Sequence, residues 1–236
     1  MKISVCMATY NGEKYIKEQL DSILSQIGKN DEVIVSDDSS TDNTIEIVKS
    51  FNDSRIKIFE NQTFKSPVYN FENTLKYANG ELIILSDQDD IWKPNKIHII
   101  KTYTQKYDLV VSDADIIDEK GAILQESFYK LNGSRKGFIK NIIKNSYLGC
   151  AMAFNRKILD KTLPFPRNLP MHDWWIGLIA ELYGKVYFIE DKLISHRRHG
   201  DNVSATAEKS KNSFLYKIFL RLTLIKQILY KLMKII

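Results

Sequence analysis

Glu81-Leu82-Ile83-Ile84-Leu85-Ser86-Asp87-Gln88-Asp89-Asp90 is the stretch on which the reading of the fold turns. A short, unbroken apolar run of this kind marks a strand buried on both faces. It ends abruptly in polar side chains, which places an acidic turn at the carboxyl end of the strand. Asn79-Gly80 breaks the chain before it, and Pro94 opens a helix beyond it at about the first turn.

The same unit recurs on either side. Ile3–Ala8 reads as a strand that stops at Asn11-Gly12, followed by helical spacing of Tyr15, Ile16, Leu20, Ile23 and Leu24. Glu32–Ser36 reads as a strand ending in Asp37-Asp38-Ser39-Ser40, and Thr41 or Asp42 can cap the helix after it. Arg55–Phe59 and Leu109–Ser112 read as further strands, with a helix over Val68–Ala78. Strands alternating with helices predict an α/β protein with a Rossmann-like, mostly parallel central sheet flanked by helices. Past Ser112 the pattern loosens. Ala114–Leu124 reads as a strand pair turning at Lys120-Gly121, Ser127–Gly137 as a loop, and Ala151–Phe154 as a short strand. Pro164, Pro166 and Pro170 stiffen the approach to a helix that opens at Met171-His172-Asp173-Trp174-Trp175, before short strands at Val186–Ile189 and Leu193–His196.

In such sheets ligands sit beyond the carboxyl ends of the strands. Three polar clusters fall there: Thr9-Tyr10-Asn11, Asp37-Asp38 and Asp87–Asp90. Asp87 and Asp89 can converge on a hard divalent cation, Mg²⁺ or Mn²⁺, or can cap the next helix. Asp38 suits a nucleoside N–H or ribose hydroxyl, with ordinary turn chemistry as the plain alternative. Tyr10 can stack on a base or fill a crevice. Asp173 reads either as a helix-start acid or as a general base between aromatic walls, where Trp174 and Trp175 can stack on an acceptor sugar, or one of them can belong to the core. His196, Arg197, Arg198 and His199 offer cations for a departing diphosphate or a histidine metal ligand; a solvated strand end reads equally well.

Charge narrows the partners. The chain carries a formal +5, yet Lys209–Ile236 holds several basic residues and no acidic ones, so the body is close to neutral. That argues against nucleic acid, which requires a basic face on the folded domain. Leu215, Ile218, Leu222, Ile225, Leu229, Leu232 and Ile236 recur at helical spacing, with Lys217, Arg221, Lys231 and Lys234 mostly elsewhere around the wheel. This C-terminal basic amphipathic helix suits an anionic membrane surface, or else packs on the body or another subunit. Cys6 and Cys150 read as reduced, packed thiols, which fits a cytoplasmic protein, peripheral on the membrane. The first residues turn polar too soon for a signal peptide, and no run is long enough to span a bilayer.

Taken in order, MATYNG, VIVSDDSSTDNT, GELIILSDQDDIWKPNKI, MHDWW and HRRHGDN resemble glycosyltransferase family 2, with its GT-A fold, over roughly Lys2–Asn202. The DQDDIW and HDWW blocks are most similar to its bacterial rhamnosyltransferase-like members. The resemblance implies a metal-dependent, inverting transfer of a sugar, rhamnose among the candidates, from a dTDP- or UDP-linked donor to a glycan or lipid-linked acceptor in cell-surface polysaccharide synthesis. It places Ala8, Tyr10 and Asp38 at the nucleoside and Asp87 and Asp89 in the DxD-type motif, with Asp89 the direct metal ligand. Asp173 becomes the general base, beside His172 where the family usually has Glu, and His199 joins the segment closing over the diphosphate. No QxxRW-type motif is present, which implies one sugar per encounter. The expected division is a nucleotide-sugar-binding half over 1–112, an acceptor-binding half over 113–207, and the helix over 208–236. Two rival readings are a nucleotidyltransferase, for which MATYNGEKY lacks the Gly-rich basic loop, and a non-catalytic nucleotide-sugar-binding module.

Overall fold

The computed structural model describes residues 1–200 and 213–233. The expected boundary at 207/208, the end of the HRRHGDN block and Ile236 lie outside the described residues. Along the chain run β1 (Ile3–Thr9), α1 (Ile16–Leu24), β2 (Glu32–Asp37), α2 (Thr44–Ser50), β3 (Ile56–Phe59), α3 (Pro67–Tyr77), β4 (Leu82–Ser86), β5 (Ile91–Trp92) and α4 (Lys96–Tyr103). There follow β6 (Leu109–Ile117), β7 (Ile123–Gln125), α5 (Phe128–Asn132), α6 (Phe138–Ile143), β8 (Met152–Asn155), α7 (Arg156–Thr162), α8 (His172–Tyr183), β9 (Val186–Arg197) and α9 (Phe214–Met233).

One nine-stranded sheet joins both halves in the order β3-β2-β1-β4-β8-β6-β9-β5, with β7 paired to β6. The repeating strand–helix units build its parallel part, β3-β2-β1-β4. Beyond β4 the sheet is mixed: β8 enters antiparallel to both β4 and β6, while β6 and β9 run parallel. All five residues of β4 are buried, as the apolar run required. Each of its large apolar side chains contributes about 1.5–3 kcal/mol by leaving water. Gly80 lets the approach to β4 pass close to β1, since a Cβ there would lie 2.5 Å from the Ser4 nitrogen. Beside it Glu32 accepts from Ser4 Oγ at 2.6 Å, Asn79 N at 2.8 Å and Lys57 Nζ at 2.7 Å. Burial opposes its charge, but these bonds and Lys2 outweigh that and hold its carboxyl down at about 2.

Several boundaries differ from the sequence reading. Helix α4 starts at Lys96, because Asn95 adopts a left-handed φ of 66°. The expected loop after Ser127 holds α5, capped by the Ser127 side chain accepting from Lys130 N and closed at Gly133 with φ 65°. The two short strands after Val186 are one, β9, whose pairing with β6 shifts register around Asp113. Both cysteines are buried and unbridged.

The tail forms a helix, as expected, but presents two faces. Leu224 and Ile228 are buried against the body. The same side carries basic residues inward: Arg221 Nε donates to Ile143 O at 2.9 Å, and Lys231 Nζ donates to Leu163 O at 3.3 Å. The stripe read from the sequence lies on another face, with Leu215, Leu222 and Leu229 each more than half exposed. No helix among the described residues is long and apolar enough to cross a membrane.

Candidate active site

A cleft of about 1740 Å³ opens over the carboxyl ends of β1, β2 and β4 and extends to the starts of α8 and α9. Single-ligand pockets usually hold about 300–1,000 Å³, so this one can house two substrates. Ala8, Tyr10, Asp38, Asp87, Asp89, Asp173 and His199 all line it, so the structure brings those sequence-predicted residues together.

The wall built on the carboxyl ends of β1, β2 and β4 consists of interlocked loops. Asp37 is buried at the end of β2 and accepts from Thr9 Oγ1 and from the Ser40 N–H and hydroxyl. Its neighbour Asp38 faces the cleft and pins the opposite loop, accepting from Phe64 N at 2.6 Å and Ser66 N at 3.1 Å. Tyr10 stands 57% exposed at the cleft, its ring available for stacking. The Gln88 side chain grips the Tyr10 backbone at both ends, accepting from N and donating to O at 2.9 Å each. A Cβ on Gly12 would lie 2.4 Å from Gln88 Oε1, so a side chain there would displace this clamp. The sequence reading missed Gln88 because the variable residue of an acidic turn carries no signature until its neighbours are placed.

The acidic turn is braced from β9. Asp90 Oδ1 lies 3.0 Å from His196 Nδ1 and accepts from Arg197 N at 2.9 Å. Burial opposes ionisation of Asp90, yet His196 outweighs it and the carboxyl falls below its ordinary value. His196 in turn gains charge against its own burial, rising to about 9, chiefly through Asp90. Arg197 is buried and tied: its Nε donates to Asp89 O at 2.9 Å, and Nη2 to Glu18 at 2.6 Å. This cation therefore braces the turn rather than facing a diphosphate, a correction to the reading of the HRRH run. Asp87 differs from both. Burial, then the charges of Asp90 and Asp89, push its carboxyl well above the usual range.

The residues suit a cation. Donor atoms of Asp87, Asp90, Cys150 and His196 all lie within 4.8 Å of one another. Among the described residues, Asp90 Oδ2 and His196 Nε2 are buried without a hydrogen-bond partner. Asp89 Oδ2 lies 2.7 Å from His199 Nε2 on the cleft side. Carboxylates with an imidazole match Mn²⁺ or Mg²⁺, whereas Cys150, a thiol that burial keeps protonated, is the wrong partner for a hard ion.

Across the cleft, Asp173 lies in the first turn of α8 and is only 7% exposed. It accepts from Trp174 N at 2.5 Å and Asn145 Nδ2 at 3.4 Å. Burial outweighs these bonds and the helix terminus, raising its carboxyl to about 7. Next to it His172 stacks on Phe71 at 4.1 Å between ring centres, and burial lowers it to about 3, so it is neutral. Gly149 keeps this corner open, since a Cβ there would stand 3.0 Å from His172 Nε2. Trp174 and Trp175 do not form the expected sugar platform. Neither lines the cleft; their indole N–H groups donate to Asn141 O and Thr162 O inside the helix packing. The neighbouring Asp173 faces the cleft because adjacent helical residues point about 100° apart.

The family model for Glycosyl transferase family 2 matches residues 4–163, well over half of the chain. The chain belongs to that family. It is 32% identical over 181 residues to the UDP-Glc:alpha-D-GlcNAc-diphosphoundecaprenol beta-1,3-glucosyltransferase WfgD of Escherichia coli, covering 75% of this chain and 68% of that one. It is 27% identical over 232 residues to an uncharacterized glycosyltransferase of Nostoc, covering 90% and 71%. Among solved structures, S. aureus TarS 1-349 in complex with UDP superposes with a TM-score of 0.67 at 26% identity, over 84% of this chain and 61% of that one. The mannosyltransferase PcManGT from Pyrobaculum calidifontis, in complex with GDP-Man and Mn²⁺, shares the fold at a TM-score of 0.61 and 19% identity, over 86% of this chain and 58% of that one. The chain thus spans about three fifths of these solved neighbours. Its mixed sheet flanked by helices is the GT-A fold of this family, and family membership sets aside the nucleotidyltransferase reading.

Proposed function

We propose that this chain transfers one hexose, with inversion, from a UDP-linked donor to a hydroxyl of a lipid-linked sugar diphosphate during cell-surface glycan synthesis. One observation carries the reading: a single cleft joins Asp87 and Asp89 to Asp173, a carboxyl held at about 7. The acid cluster favours a cation and a diphosphate, and a carboxyl near neutrality is matched to removing a hydroxyl proton. The UDP-Glc donor of WfgD and the UDP complex of TarS support UDP over dTDP, and the WfgD donor supports a 6-hydroxylated hexose over the 6-deoxy sugar rhamnose.

In this reading the 1–112 half holds the donor and the 113–207 half the acceptor. Tyr10 stacks on the base, Ala8 leaves room for it, and Asp38 accepts from the nucleoside. Asp89 with Asp87, and His199 beside them, would hold Mn²⁺ or Mg²⁺, whose charge when bound offsets that of the leaving diphosphate. Asp173 takes the proton of the acceptor hydroxyl as its oxygen bonds to the anomeric carbon. The bond from that carbon to the diphosphate oxygen breaks on the opposite side, and UDP departs with the electron pair. The exposed stripe of α9 rests on the cytoplasmic membrane surface, where such an acceptor resides.

The test is release of nucleoside diphosphate from UDP-glucose, UDP-N-acetylglucosamine and dTDP-rhamnose, with Mn²⁺ and with chelator. Metal-dependent turnover of a UDP sugar is expected. Turnover of dTDP-rhamnose alone would overturn the donor assignment, and turnover of none by folded protein would overturn the enzyme reading.

A further inference from the structure

The cleft groups its charges unevenly. Asp38, Asp87 and Asp89 share the side over β1, β2 and β4 with Lys14 and Lys65, whereas Lys144, Lys217 and Arg221 gather on the side formed by the turn after α6 and the start of α9. These three cations come from separate segments, Lys144 just after α6 and the other two one turn apart on α9. We propose that they form a binding rim for the diphosphate of a lipid-linked acceptor. The inference rests on the acceptor class proposed above and adds where that acceptor is held.

Arg221 is the fixed point of the rim. Its Nε donates to Ile143 O at 2.9 Å, and its guanidinium lies 5.8 Å from the ring centre of Trp174, the residue after Asp173. Lys144 Nζ donates to Asn132 O. For Arg221 and Lys144 these partners are carbonyl oxygens, which orient the two cations without cancelling their charge. A planar guanidinium flanked by two ammonium groups matches a diphosphate in charge and in donor geometry. The hydroxyl that Asp173 deprotonates and the diphosphate at the rim then belong to opposite ends of one acceptor sugar.

The surface beside the rim suits the remainder of the molecule. Ile143 adjoins Lys144 and is 62% exposed, with Ile139 one turn earlier on α6 also exposed. These two side chains offer a short apolar path beside Lys144, leading away from the cations. A free phosphate compound would make no use of that path; a lipid diphosphate would use both. The placement also accounts for the inward direction of Lys217 and Arg221, which a helix bound to membrane by headgroup charge alone would turn outward.

The test titrates the whole chain, preloaded with UDP and Mn²⁺ so that the donor end is filled, with farnesyl diphosphate, farnesol and inorganic pyrophosphate. Tighter binding of farnesyl diphosphate than of either other probe, by about tenfold, is expected. Lys217→Gln and Lys144→Gln should each weaken farnesyl diphosphate several-fold while leaving UDP affinity within twofold. Both are on or near the surface, and thermal melts of the variants confirm folding. Unchanged farnesyl diphosphate affinity in both variants would overturn the rim, as would a loss of UDP affinity in its place. Pyrophosphate binding as tightly as farnesyl diphosphate would overturn the lipid assignment. The UDP loading step reads the transferase proposal separately, and its failure would leave the rim titration to be run and judged without UDP.

Discussion

The two walls of the cleft are built by opposite means. The wall proposed for the donor comes from four loops that each follow a parallel strand, β1 to β4, and side chains lock it together: Asp38 to Phe64 and Ser66, Gln88 to Tyr10, Asp37 to Thr9 and Ser40. The wall proposed for the acceptor is gathered from α5, the segment after α6, the start of α8 and the near end of α9, and its acid Asp173 is held by burial against few bonds. The first arrangement preorganises a site for a ligand common to many enzymes. The second leaves the chemistry of one acceptor to be set by pieces that vary independently.

Breaking the acceptor side at its base should have the largest effect. Asp173→Asn is expected to cut turnover by about 10²–10⁴-fold while leaving UDP affinity nearly unchanged, since the donor wall does not depend on it. Steady-state rates beside a UDP titration check both halves of that statement. In the unmodified protein, kcat/KM should rise with pH to a plateau, with a midpoint near the Asp173 value of about 7. Only the carboxylate can accept the proton, so the acid limb is the inactive one.

The same variant sharpens the comparison through stability. Folding raises the Asp173 carboxyl from 3.8 to about 7, so the folded state binds its proton more tightly than the unfolded chain. That contribution is present at low pH and lost as pH rises toward 7, where forcing the buried carboxylate costs up to about 4 kcal/mol. Asp173→Asn should therefore raise Tm by several degrees at pH 8 and by little at pH 4. Equal Tm differences at both would show that the acid is not held in its neutral form. A smaller, opposite effect is expected at the amino-terminal edge of the parallel sheet, away from the cleft. Glu32, held at about 2, stabilises the fold above its unfolded value and ceases to do so as pH falls through the acid range. Glu32→Gln should accordingly lower Tm at pH 7 and less so at pH 3.

The contrast between the walls also explains what could be read from the sequence. Apolar runs ending in polar clusters reported β1, β2 and β4 and the residues after them, because a parallel strand delivers its carboxyl end to one edge of the sheet. Asp173 was legible through its place at a helix start among aromatic residues, whereas its tryptophans were misplaced. Their spacing says nothing about which neighbour turns inward until α8 is packed. The roles of Gln88, Arg197 and Gly149 arise only from contacts across the fold. Helix α5 escapes a sequence reading because five residues are too few for a periodic signal. The tail was read as one amphipathic face, while two faces exist, and only packing showed that Lys217 and Arg221 belong to the one turned toward the cleft.

The most direct test of the account is calorimetric titration of UDP into the whole chain with Mn²⁺ and with chelator, repeated for Asp89→Ala. The account predicts binding that requires the metal and is lost, or weakened at least tenfold, in the variant. UDP affinity indifferent to both metal and Asp89 would contradict it, because the acidic turn after β4 would then have no part in holding the donor.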